Sequence, residues 1–303
     1  VIAAFLATRP TRPDWVTVDA GHDCAVIDGG VALKVDTLVA GVHFDAGWTA
    51  VEVGWKAVTA AVSDLAAAGS LPRWALVSVS ARDPRWAAAL AEGVGAACAA
   101  WGVYLVGGDV TRVPAGSSAV VSVSAGGACV ARPVTRSGAH PGDHLWVTGT
   151  LGLAGVGWAT PAPPAAALRA LRRPEPPVAF ALDLARRGLV AAAMDLSDGP
   201  RSDLPRLAEA SGVHLVVHAD ALPLAPEVAA SADPLRFALC GGDDHQLLFA
   251  ARPADGHAIQ ALAAGSGVQV TRIGEVEAGS GVGLVGAAWP APMFSHFDAA
   301  GVA

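Results

Sequence analysis

The chain has 303 residues, a formal net charge of −7, 53% hydrophobic and 16% charged residues. That composition belongs to a well-packed globular protein, long enough for two domains of about 150 residues each. The anionic balance argues against nucleic acid as a main partner, and no breaker-free apolar run of about 18 residues reads as a membrane span.

The opening VIAAFLATRP lacks a basic n-region and a cleavage signal, so it is not expected to be a signal peptide. Residues 24–40 read as a hairpin: CAVID, the turn GG, then VALKVDTLV. An Ala/Val-rich helix follows over 51–68, stopped by Gly69 and Pro72. Residues 74–80 alternate like a strand. A second helix spans 84–101 with Pro84 in its first turn, and Glu92, Gly93 and Gly95 interrupt its apolar run. Strands are expected at 103–108 and 119–127, completing a ββαβαββ half. RSGAHPGDH (136–144) is a turn-rich boundary. The second half opens with the strand LWVTG. The Pro-rich stretch 159–177 reads as a surface loop around a short helix. Then come a strand at AAAMDL, a helix within SDGPRSDLPRLAEASG, and strands at VHLVVHA, HQLLFAA and VQVTRIGEV. The expected fold is α+β or α/β in two domains, 1–138 and 139–303.

The four cysteines, Cys24, Cys98, Cys129 and Cys240, form no CxxC pair. They read as reduced buried thiols of a cytoplasmic protein, without a zinc site. Arginine supplies 18 of the 20 basic residues, leaving only Lys34 and Lys56.

The chemistry lies in short acidic stretches: HDCAVI (Asp23), KVDTLVAGVHF (Asp36), VSDLAAAG (Asp64), LVGGDVTR (Asp109) and MDLSDG (Asp195, Asp198). Carboxylates beside strands and Gly-rich turns suit an oxygen-ligand site for several Mg²⁺ ions and the phosphates they carry. No GxxxxGK[ST] loop is present, so phosphates would be held by metal and by backbone N–H groups of turns such as Gly107–Gly108. Lys34 is two residues from Asp36 and would share its strand face. Its ammonium either points to solvent or lies among the carboxylates in place of one metal.

Together with GWKAVTAAVSDLAAAGSLP, TRSGAHPGDHLWVTGTLG, DLSDGPRSDL, ALCGGDDHQLLF, IGEV and FSHF, these segments resemble the thiamine-monophosphate kinase family. Its superfamily also holds aminoimidazole ribonucleotide synthetase, selenophosphate synthetase and a hydrogenase maturation factor. The resemblance implies Mg²⁺-dependent transfer of the ATP γ-phosphoryl group onto thiamine monophosphate, in a homodimer whose N-terminal sheets meet and whose active site lies in the cleft between the two domains. It implies metal contacts at Asp23, Asp36, Asp64, Asp109, Asp195 and Asp198, with Asp64 and Asp109 central to catalysis. Nucleotide contacts fall on Gly107, Gly108, Asp109, Arg136 and Ser197, and substrate contacts on His43, Asp243 and Phe294. An aromatic side chain suits a cationic thiazolium.

The chain departs from the family pattern at several points. His22 precedes Asp23 where two adjacent acids are usual, and Lys34–Val35 replaces Ser-Thr. Val110 replaces Thr, Ala61 replaces Asn, and His245–Gln246 alters DYEL. These changes leave open a weakly active or non-catalytic paralogue that binds nucleotide or thiamine phosphates. Another phosphate-activating enzyme is the remaining alternative. No Cys precedes position 24 and no Cys-bearing tail ends the chain, which argues against the selenophosphate and hydrogenase branches.

Overall fold

The computed structural model describes residues 2–293. Its strands are β1 Val16–Val18, β2 Ala25–Ile27, β3 Val31–Val39, β4 Ser70–Ala81, β5 Tyr104–Arg112, β6 Val120–Cys129, β7 His144–Thr148, β8 Ala192–Leu196, β9 His214–His218, β10 Gln246–Ala251, β11 Val270–Glu277 and β12 Gly281–Val285. Its helices are α1 Ile2–Ala7, α2 Ala50–Ala67, α3 Pro84–Trp101, α4 Leu153–Ala159, α5 Ala165–Arg172, α6 Val178–Arg187, α7 Pro200–Ser211, α8 Pro226–Ala229, α9 Pro234–Cys240 and α10 Gly256–Ser266.

The strands form two sheets, ordered β1-β2-β3-β6-β4-β5 and β12-β9-β11-β7-β10-β8. The pairs β4–β5 and β9–β12 are parallel and the other pairs antiparallel. This is the expected two-part sheet-and-helix fold. The expected ββαβαββ order appears with one short extra strand, β1, in front.

Helix α2 is the hub. A capping box starts it: Thr49 Oγ1 accepts from the Glu52 N–H at 3.2 Å, and Glu52 Oε2 accepts from the Thr49 N–H at 2.7 Å. Such a cap is worth about 1 kcal/mol. Gly69, at φ 66, lets the chain leave the helix in the left-handed conformation. Nearly every α2 side chain is buried, because sheet, helix and the second half cover all its sides. On the α3 side the backbones meet directly: a Cβ on Gly93 would stand 2.0 Å from the Val51 carbonyl oxygen. On the other side Ala66 and Ala67 share one core with Phe180, Leu184, Phe249 and Leu262 of the second half. Trp55 Nε1 donates to the Pro174 carbonyl at 3.2 Å. The two halves are therefore clamped on α2.

The N-terminal sheet packs one face on the helices and leaves the other open. Along β3, Ala32 and Leu38 are buried while Val35 is 62% exposed. Edge strand β5 is exposed along almost its whole length, including Tyr104, Val106 and Val110.

Candidate active site

The acids converge because three chain segments meet at the end of α2. Lys34 and Asp36 point to the α2 side of β3, as their spacing of two requires. Asp64, near the end of α2, meets them there. Lys34 Nζ lies 2.7 Å from Asp64 Oδ1 and 3.5 Å from Asp36 Oδ1. Asp23 precedes β2 and takes two bonds on Oδ1 from Arg136, 2.7 Å from Nε and 2.5 Å from Nη2. Its Oδ2 accepts from the Asp195 N–H at 3.3 Å. Asp23, Asp64 and Asp195 each offer an oxygen within 4.8 Å of the others.

Burial pushes the Asp23 carboxyl up to about 6, against the pull of Arg136. It drives Asp64 well above the usual range, helped by Asp195 and Asp36, and raises Asp36 as well. Burial acts on Asp195 in the same sense, yet His245 and Lys34 hold that carboxyl below its ordinary value. Buried like charges resist joint ionisation unless cations join them. Burial and the Arg136 charge hold the His22 imidazole below its usual range. Its Nδ1 accepts from the Arg136 N–H at 3.2 Å, so it positions the arginine rather than adding an oxygen to the cluster.

The second half adds Asp195, on β8, and two loops zipped together. The Asp243 N–H donates to the Ser197 carbonyl and the His245 N–H to the Leu196 carbonyl, both at 2.8 Å. Asp243 (φ 60) and His245 (φ 48) sit in the left-handed region, which costs on the order of 1 kcal/mol each and is typical of functional loops. His245 Nδ1 stands 3.5 Å from Asp195 Oδ2, an attraction too long for a good hydrogen bond. Lys56 is 1% exposed, with Nζ 2.9 Å from Asp243 Oδ1 and 5.1 Å from the Trp48 ring centroid.

A cavity of about 350 Å³ opens beside the acids. Its lining includes Asp36, His43, Lys56, Trp158, Ser197 and Asp243. His43 Nδ1 accepts from the Val39 N–H at 3.1 Å, which fixes the ring of that expected substrate contact. Asp198 also lines the cavity, but Arg206 Nη2 donates to it at 2.6 Å. Asp198 therefore enters an Arg206–Asp203 network rather than the acid cluster. Phe294 lies outside the described residues.

Gly107, Gly108 and Asp109 stand apart. The expected Gly107–Gly108 turn is instead the middle of β5, where the register slips at Leu76 so that Val106 is the extra residue. Gly108 is there for close strand approach: a Cβ would lie 2.0 Å from the Val77 carbonyl oxygen. Asp109 shares the row Thr37–Ser122–Ser78–Asp109, on the open face of the sheet. Three strand spacings put it about 14 Å from Thr37. The expected convergence of Asp109 with the other ligands is not met within one chain, because β5 is an edge strand.

Two residues escaped the sequence reading. Lys56 had a signal, as one of only two lysines. Asp244 had none beyond its acidic neighbour. It is buried and accepts from the N–H groups of Gly152, at 2.7 Å, and Ala154, at 3.5 Å, at the start of α4.

The donor set fits Mg²⁺. It is all oxygen, and Asp36 Oδ2 and Asp195 Oδ2 are buried without a hydrogen-bond partner. Such orphaned carboxylate oxygens are costly unless a cation or donor reaches them.

Residues 21–130 match the N-terminal domain of AIR synthase related proteins, and residues 140–287 their C-terminal domain. The chain is 33% identical to the thiamine-monophosphate kinase of Salmonella typhimurium over 90% of this chain and 88% of the relative. It is 36% identical to that of Caulobacter vibrioides, over 90% and 83%. The solved complex of AaThiL with AMPPCP and TMP superposes with a TM-score of 0.83 at 28% identity, covering 98% of this chain and 94% of that one. With both domain models matched in order and such identity along almost its whole length, the chain belongs to the thiamine-monophosphate kinase family of AIR synthase related proteins.

Proposed function

We propose that this protein transfers the γ-phosphoryl group of ATP to the phosphate of thiamine monophosphate, releasing ADP and thiamine diphosphate. The observation that carries the reading is the meeting of Asp23, Asp36, Asp64 and Asp195 beside a cavity walled by both halves. The likeness to a kinase solved with AMPPCP and TMP supports it. Mg²⁺ held by these four acids would neutralise the phosphates and polarise the group being transferred. Asp64, held between β3 and β8, would be one of these ligands. Arg136 fixes Asp23, and Ser197 faces the cavity near the nucleotide side. His43 and Asp243 line the substrate side, with Trp158 as an aromatic wall for a cationic ring. Transfer between phosphates needs no general base, since the attacking phosphate oxygen is already ionised at neutral pH.

The division at residue 138 is part of this reading, supported by family matches that end at 130 and resume at 140. So is a homodimer in the cytoplasm. The open sheet face, with Val35 and Leu76 exposed beside the polar row ending at Asp109, supports a second copy seated there. In that arrangement Gly107, Gly108 and Asp109 would approach another chain's acids instead of their own. The free cysteines support a reducing compartment. No described helix is long and apolar enough to cross a membrane.

The test is ADP release measured with ATP, Mg²⁺ and thiamine monophosphate. Release that depends on all three, with thiamine diphosphate as product, is expected. Its absence with pure folded protein would overturn the assignment in favour of a non-catalytic binding protein.

A further inference from the structure

We propose that Lys34 is a built-in cation of the acidic site: its ammonium occupies the bridging position between Asp36 and Asp64 that a divalent ion would otherwise take. The inference rests on the metal reading above and refines it for this chain.

The geometry is specific. Lys34 Nζ is 2.7 Å from Asp64 Oδ1 and 3.5 Å from Asp36 Oδ1, with the Lys34 side chain only 20% exposed. An ion bridging the same two oxygens would need bonds of about 2.1 Å to each, within the volume the ammonium fills. Mg²⁺ and Lys34 therefore compete for Asp64 Oδ1. The buried oxygens left without a hydrogen-bond partner are Asp36 Oδ2 and Asp195 Oδ2, the latter only 3.5 Å from His245 Nδ1, and these remain for metal. The chain supplies a second cation to the cluster through Arg136 on Asp23. Four carboxylates thus carry two fixed positive charges before any metal arrives.

Two consequences follow. The protein should bind fewer divalent ions with nucleotide than a variant lacking the ammonium. Its metal-free fold should also be held by Lys34, since removing one partner of a buried ion pair leaves uncompensated charge. Lys34→Ser removes the ammonium and opens room for an ion. Lys34→Arg keeps the charge.

The measurement is Mn²⁺ binding in the presence of AMPPCP, followed by electron paramagnetic resonance of free Mn²⁺. It is paired with melting of the metal-free proteins in EDTA. Lys34→Ser is expected to bind about one further ion per chain, to melt several degrees lower in EDTA, and to regain its melting point with Mg²⁺. Lys34→Arg should keep the wild-type stoichiometry. Should Lys34→Ser fail to fold without metal, it is purified in Mg²⁺, and the ion count against Lys34→Arg decides. Equal stoichiometry in all three proteins overturns the proposal. Saturable Mn²⁺ binding absent from every variant would overturn the metal reading beneath it, and the proposal with it.

Discussion

Asp244 gives the sharpest quantitative expectation, because burial moves its carboxyl far from its ordinary range. Burial pushes it up to about 7, although the N–H groups of Gly152 and Ala154 pull the other way. A carboxyl raised on folding binds its proton more tightly in the folded than in the unfolded state. Its contribution to stability is therefore complete below about pH 4 and is lost as the pH rises through about 7. Between about pH 5.5 and 8 the loss is on the order of 2 kcal/mol, or roughly 5 °C in melting temperature for a chain of this size. Asp244→Asn keeps an acceptor for the Gly152 N–H but no longer titrates. Melting in EDTA across this pH range, wild type against Asp244→Asn, cancels the contributions of Asp23, Asp64 and Asp203, which both proteins share. The wild type should lose several degrees more than the variant as the pH rises. Parallel curves would refute the reasoning and mean that Asp244 is ionised throughout.

Asp64→Asn should lower kcat about a thousandfold, whereas His43→Asn should mainly raise the KM for thiamine monophosphate, about tenfold. Equal and total loss of kcat from both would give His43 a chemical role. Gly93→Ala should cost about 1–3 kcal/mol in denaturant melts, because its Cβ meets the Val51 carbonyl; an unchanged midpoint would refute direct backbone packing of α2 on α3. Leu76→Glu, on the open sheet face, should shift sedimentation from dimer to monomer and lower activity together; an intact dimer would show that the second copy sits elsewhere.

Local chemistry was legible in the residues alone. The hairpin at 24–40, the two helices near 51–68 and 84–101, and the strands around Asp195 carry turn glycines, a proline at a helix start and clear periodicity, and they appear close to their expected bounds. The period of two along β3 also put Lys34 and Asp36 on one face. Elements without such signals were missed: β1, α1, α4, α6, α8, α9, α10 and β12, the last held by parallel pairing to β9, a partner distant in sequence.

The site itself depended on tertiary structure. That Lys34 finds Asp64 follows from α2 packing across β3, and that Arg136 finds Asp23 follows from the linker crossing between halves. The position of Asp109 was decided by topology. Strand β6 inserts between β3 and β4, which sends β5 to the edge and its acid away from the cluster. Sequence determines which residues can form strands and which faces they share. The order of strands in a sheet is set by the global burial of those faces, and no local pattern encodes it.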